Sequence, residues 1–172
     1  MNIKETKKIT LSLIDTFHKA GNIALSLRKA GLKKEIKSNN TPVTNGDIEV
    51  NNILIKKIAE ITPNILIVSE ENSANKKNKN LKDFWLIDPI DGTKDYINNK
   101  DEFTLNAALI LNKKPVIGII TAPAKKRVFY SYAMSNSYEL IDSKEIKLID
   151  NNKNNNEIKA VSYSNEIKPD IL

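Results

Sequence analysis

The stretch Phe84-Trp85-Leu86-Ile87-Asp88-Pro89-Ile90-Asp91-Gly92-Thr93 decides how the chain is read. Phe84 to Ile87 is a short apolar run closed by a carboxylate, and runs of this kind read as buried strands. Upstream, Ile65 to Val68 is a second such run, ending in Ser69-Glu70-Glu71. If the two strands are neighbours, Glu70, Asp88 and Asp91 converge at one edge of a sheet. Three carboxylates brought together cost free energy unless a cation neutralises them or one takes a proton. Oxygen donors without His or Cys select magnesium, manganese or calcium over zinc. Pro89 stiffens the turn, the Ile90 carbonyl can point inward as a further ligand, and Gly92 permits close backbone approach. Thr93 starts the next helix, whose free N–H groups beside a metal cluster make a phosphate site. The chemistry this implies is metal-assisted hydrolysis, with Glu70 and Thr93 placed to position the attacking water and no protein nucleophile required. An Asp-x-x-Asp pair alone is weak, since most are solvated turns. The apolar strand before the acids and the Gly-Thr after them are what make it informative.

Working outward, Ile9, Leu13, Phe17, Ala20, Ala24 and Leu27 recur at helical spacing and predict a helix over residues 5–30, stopped by Gly31. An extended piece, residues 32–37, and a polar turn, residues 38–42, follow. A second helix is expected from about Asp47 to Ile61, with Pro63 just beyond it. Thr44 with Asp47 three residues on resembles a capping box. Asp47 can at the same time accept from the Thr93 hydroxyl, so that Thr93 acts on the attacking water. Residues 72–82 read as a polar loop, and a short helix is expected near residues 94–98. Residues 103–111 and 115–121, separated by Asn112-Lys113-Lys114, predict a hairpin. Residues 127–133 and 138–141, around Ser135-Asn136-Ser137, predict another, so the sheet should be a largely antiparallel meander. Trp85, Tyr130 and Tyr132 read as packing residues, and His18 as a surface residue. The pattern is an α+β fold: an N-terminal helix pair on a largely antiparallel sheet over residues 1–150. Residues 151–172 read as a linker and the start of a C-terminal α/β domain.

Composition narrows the classes. The 172 residues, 40% hydrophobic and 28% charged, suit one globular domain with a core. There is no cysteine, which removes disulfides, thiol nucleophiles and thiolate metal sites and fits a cytoplasmic protein. No apolar run reaches membrane-spanning length, and residues 1–10 are too polar for a signal peptide. Net charge is +6, but the lysines are scattered or lie in Asn/Lys stretches such as 75–80 and 151–156. No basic stripe interleaves with aromatics, so nucleic acid is not an expected partner.

Taken together, Thr41-Pro42-Val43-Thr44 with Asp47, Ser69-Glu70-Glu71 and Asp88-Pro89-Ile90-Asp91-Gly92-Thr93 resemble the inositol monophosphatase superfamily in order and spacing. Lys94-Asp95-Tyr96-Ile97 and Glu102-Phe103-Thr104-Leu105-Asn106 look like its CysQ-type 3'(2'),5'-bisphosphate nucleotidases. Inositol monophosphatases usually carry Asn-Phe after Gly-Thr and lack the Glu-Phe-Thr stretch. The resemblance runs from the first helix through Ser162. It implies a cytoplasmic enzyme of sulfur assimilation, or one held peripherally at the inner face of the cell membrane. The implied reaction takes the 3'-phosphate from adenosine 3',5'-bisphosphate, giving AMP and phosphate, with two or three Mg2+ ions or with Mn2+. By position, Glu70, Asp88, the Ile90 carbonyl and Asp91 would be metal ligands. Glu70, Ile90, Asp91, Gly92 and Thr93 would contact substrate, and Asp47, Glu70 and Thr93 would be catalytic. The chain departs from the pattern at Asn45-Gly46, and at Ser162-Tyr163-Ser164-Asn165, where the nucleotidases tend to show Ser-Arg-Ser-His. It also lacks the later Trp-Asp-x-Ala-Ala-Gly segment, whose Asp completes the metal site, so the resemblance is to a C-terminally truncated member. Two alternatives follow: a phosphatase of inositol or sugar phosphates, or an inactive truncated metal- or phosphate-binding fragment. Apolar surface left uncovered on the sheet edge and on residues 158–161 would favour aggregation or a homodimer.

Overall fold

The computed structural model describes residues 1–38, 40–71, 80–133 and 136–148. Helix α1 spans Ile3–Ala30. It begins two residues earlier than periodicity predicts because Asn2 and Glu5 form a reciprocal capping box. It ends at Gly31, whose φ of 100° suits a residue without Cβ. Strands β1 (Lys34–Ile36) and β2 (Pro42–Thr44) pair antiparallel as a small separate sheet. Pro42 therefore belongs to a strand, not to the expected turn. Helix α2 spans Asn45–Ile61, and the Thr44–Asp47 capping box opens it.

Seven strands form the main sheet, in the order of the chain. They are β3 (Leu66–Ser69), β4 (Phe84–Asp91), β5 (Thr104–Leu111), β6 (Lys114–Ala122), β7 (Arg127–Tyr132), β8 (Ser137–Ile141) and β9 (Lys144–Lys147). β3 runs parallel to β4 and every other pair is antiparallel. Helix α3, Thr93–Ile97, is a short turn after β4. The β5–β6 hairpin turns on Asn112 and Lys113, both at positive φ. β9 was not expected: four exposed residues, three of them charged, carry no apolar alternation. Ser135 and residues 151–172 lie outside the described residues, as do the expected strand at 158–161 and most of the loop at 72–82.

The core lies between one face of the sheet and the two long helices. Phe17, Leu13, Leu54 and Ile58 meet Trp85, Ile87, Leu105, Leu109, Ile117 and Ile119 there, all fully or almost fully buried. Trp85 packs as expected and donates its indole N–H to Thr62 at 2.9 Å. Tyr130 and Tyr132 also pack, stacking on either side of Tyr138. His18 is half-buried on α1 rather than exposed. Among the described residues, no helix is long and apolar enough to cross a membrane.

Candidate functional site

The parallel pairing of β3 and β4 aligns Ser69 with Ile87, so Glu70 and Asp88 emerge side by side at the same sheet end. The ladder continues one step further, with the Glu70 N–H donating to the Ile87 carbonyl at 3.0 Å. Behind this end Ser69 is tied to Asn51 of α2 at 2.5 Å. One detail differs from expectation. β4 does not stop at Asp88 but runs on to Asp91, with a register irregularity between them. Asp88 pairs with Asn106 and Asp91 with Thr104, so the sheet backbone fixes both acids. Such bulges re-aim side chains at strand ends.

Gly92 then turns the chain with φ 88°, and a Cβ here would come within 2.8 Å of the Glu102 carbonyl. This is a position where only glycine fits. Thr93 follows, and its hydroxyl lies 3.2 Å from Asp47 Oδ1 and 3.0 Å from the Ile90 carbonyl oxygen. Its single proton has two acceptors in reach. Asp47 is almost wholly buried and receives the Thr44 N–H and hydroxyl on its other oxygen at 2.8 and 2.6 Å. Burial pushes the Asp47 carboxyl up, against the hydrogen bonds from Thr44 and Thr93. The expected double use of Asp47, as helix cap and as Thr93 partner, is what the geometry shows.

Glu70, Asp88, Ile90, Asp91, Gly92 and Thr93 line one cavity of about 550 Å³, together with Thr41, Pro42, Lys94, Asp95 and Asn98. Asp47 stands behind it, through Thr93. The Asp88 carboxyl is pushed up to about 7, first by burial, then by the charges of Glu70 and Asp91, a hydrogen bond with Glu70, and the charge of Asp47. Asp88 Oδ1 is buried and receives no hydrogen bond. Among the described residues, no three acidic or imidazole side chains converge tightly enough to enclose an ion as they stand. Glu70 and Asp88 stand within hydrogen-bond reach of each other, and Lys37 pairs with Glu70 and Glu71. Its ammonium lies 3.4 Å from Glu70 and 2.6 Å from Glu71. Burial would lower the Lys37 pKa, but hydrogen bonds and charge from Glu71 and Glu70 outweigh it and raise it. The donors are nevertheless all hard oxygens on one cavity, and one of them, Asp88, is both orphaned at its buried Oδ1 and crowded by the charges of Glu70 and Asp91. That set fits a hard divalent cation.

Sequence reasoning missed Lys37, and it named Glu71 only within Ser69-Glu70-Glu71, without its partner. Lys37 belongs to the hairpin before the Thr-containing motif, and nothing in its Lys-rich surroundings marks it. Only the fold carries it back to Glu70.

A family model described as "Inositol monophosphatase family" matches residues 5–171. The chain belongs to that family. A curated relative named 3'(2'),5'-bisphosphate nucleotidase CysQ, from Aggregatibacter actinomycetemcomitans, is 31% identical over 145 residues, 83% of this chain and 54% of the relative. A solved CysQ from Bacteroides thetaiotaomicron superposes with a TM-score of 0.61 at 28% identity, over 81% of this chain and 51% of that one. An IMPase/NADP phosphatase solved with Mg2+ and phosphate shares the fold with a TM-score of 0.67 at 19% identity, over 80% of this chain and 51% of its own. The chain thus spans about half the length of the relatives it matches.

Proposed function

We propose that this chain forms the metal- and phosphate-binding part of a divalent-metal-dependent phosphomonoesterase. In this reading it removes the 3'-phosphate of adenosine 3',5'-bisphosphate, giving AMP and phosphate. The observation that carries the reading is the Asp47–Thr93 hydrogen bond set against the buried, undonated oxygen of Asp88 across one acidic cavity. A polar relay and an unsatisfied hard ligand face the same space. Likeness to relatives named as nucleotidases supports the substrate, and a family structure holding Mg2+ and phosphate supports the ion.

Glu70, Asp88, the Ile90 carbonyl and Asp91 would hold two or three Mg2+ ions, or Mn2+. Such ions supply charge stabilisation for the phosphoryl oxygens and lower the pKa of water. The protein's own residues do the rest. Gly92, by lacking a Cβ, lets the turn close on the phosphate. Asp47 accepts the hydrogen bond of the Thr93 hydroxyl, which orients Thr93 Oγ1 so that it would accept a hydrogen bond from the attacking water. Glu70, at the end of the neighbouring strand β3, orients that water.

Phosphate release from adenosine 3',5'-bisphosphate and from inositol 1-phosphate, each with Mg2+, tests the reading. Release from the nucleotide, lost in Asp88→Asn, is expected. Turnover of the inositol ester alone would move the substrate to the inositol phosphates. No release from either, with Mg2+ bound, would leave a binding fragment.

A further inference from the structure

Asn106 has no part in the reading above and does not itself line the cavity, yet the sheet sets it beside two residues that do. It is the direct cross-strand partner of Asp88. Its Nδ2 donates to Asp91 Oδ2 at 3.2 Å. Its Oδ1 is buried and receives no hydrogen bond, and Asp88 Oδ1 beside it on the next strand is in the same condition. The amide orientation follows from its neighbour, because turning the amide over would set Oδ1 against a carboxylate oxygen. On the same face of the sheet Asn106 is flanked along β5 by Ala108 and across β6 by Ile120. An amide set between two carboxylates and two apolar neighbours, with its Oδ1 unmet, is a poor packing residue. Buried acceptors without donors are rare and call for a missing partner.

We infer that Asn106 is a positioning residue of the metal centre, its N–H fixing the Asp91 carboxylate and its Oδ1 accepting from a water in the hydration shell of the divalent cation. The inference rests on the metal reading of Asp88 and Asp91. Hard cations such as Mg2+ keep several of their waters when bound, and those waters need acceptors. Groups that hold a ligating carboxylate in place commonly change metal affinity 10–100-fold when removed. Asn106 has the geometry for both tasks at once: donor towards one acid, open acceptor next to the other. It also gives a physical reason for an Asn to end the Glu102-Phe103-Thr104-Leu105-Asn106 segment: the strand must return a donor to Asp91.

The test is Mn2+ titration of the full chain, with free Mn2+ followed by electron paramagnetic resonance and bound Mn2+ by water-proton relaxation. Asn106→Leu keeps the branched shape, with a somewhat larger volume, and removes both polar groups, and Asn106→Ala removes them without a bulky replacement. Either variant should raise the Mn2+ dissociation constant about tenfold or more. Water-proton relaxation by the bound ion should change too, while melting in EDTA is unchanged or higher. A purely structural asparagine would not move the relaxation signal. A folded variant that binds Mn2+ within twofold of the unaltered chain, with the same relaxation, overturns the inference and leaves the metal reading standing. Loss of the melting transition in EDTA in both variants also overturns it, by making Asn106 a folding residue. If the unaltered chain binds no Mn2+, the metal reading fails and takes the inference with it.

Discussion

Trp85 and Leu86 are consecutive in β4 and point opposite ways. Trp85 is fully buried on the helix side, hydrogen-bonded to Thr62 at the end of α2. Leu86 is 48% exposed. The pleat extends this contrast across the sheet. Trp85, Ile87, Leu105, Leu109, Ile117 and Ile119 form the covered face. Leu66, Leu86 and Ile120, each about half exposed, lie on the other, with Ala108 and Gly118 between them. A solvated antiparallel sheet ordinarily carries polar residues on its outer face. Here the outer face is apolar at its centre and turns charged towards its ends, at Asp88 and at Arg127 and Glu139, the last two pairing with each other. Uncovered apolar surface was expected at the sheet edge. Among the described residues it lies there, at Leu66 of β3 and Ile146 of β9, and also on the open face at Leu86 and Ile120, while the rest of β9 is charged.

The largest expected effect sets the two neighbours against each other. Trp85→Ala should cost about 3–5 kcal/mol in urea denaturation, as a large buried aromatic leaves a cavity and strands Thr62. Leu86→Ala should cost within about 0.5 kcal/mol, as exposed changes do. Leu86→Lys should in addition lower any concentration-dependent self-association measured by sedimentation. Equal losses for the two alanine variants would mean that the second face is covered in solution.

Glycines sharpen the same contrast at a smaller scale. A Cβ on Gly46 would meet the Tyr96 ring at 2.8–2.9 Å and its hydroxyl at 2.4 Å. Tyr96 cannot give way, because it is fully buried and its hydroxyl donates to the Ala24 carbonyl at 2.6 Å. A Cβ on Gly118, on the open face, meets only Ser131 Oγ at 3.6 Å, an ordinary contact. Gly46→Ala should therefore cost about 1–3 kcal/mol through overpacking. Gly118→Ala should gain about 0.4–1 kcal/mol from the stiffer unfolded chain. Tyr96→Phe should recover part of the Gly46→Ala loss, since it removes the nearest clashing atom. Additive losses in that double variant would show that the two residues do not press on each other.

These contrasts mark how much the sequence disclosed. Helix periodicity, the Gly31 stop, the capping box and the apolar runs of β3 and β4 were legible because each is a local signal. So were the convergence of Glu70 with Asp88 and the reach of Asp47 to Thr93, once the strands were taken as neighbours. β2 and β9 were not legible: one is three residues beginning with proline, the other four exposed residues, and only pairing makes them strands. Lys37 and Asn106 escaped for a related reason. Their roles depend on which strand lies alongside, and neither residue type announces a site by itself. Gly46 was noted as a departure, and its cause sits fifty residues away in Tyr96.

The last contrast lies at the end of the open face, where Leu86 gives way to Asp88. In the folded chain without metal, the Asp88 carboxyl is pushed from its ordinary 3.8 to about 7, by burial first and by neighbouring carboxylates next. The folded state therefore binds that proton more tightly than the unfolded chain does. Its stabilising contribution is complete below about pH 3.8 and is lost as pH rises through 7. Melting temperature in EDTA should fall as pH is raised from 5 to 8. Asp88→Asn, which carries a neutral side chain at every pH, should flatten that fall. On the proposed metal reading, Mg2+ should oppose it at pH 8, where the cation would replace the proton as the counter-charge to Glu70, Asp88 and Asp91. A melting profile in EDTA that is flat in the unaltered chain would mean that the three carboxylates stand further apart in solution than the sheet register sets them. An equal fall in Asp88→Asn would place the titrating group elsewhere.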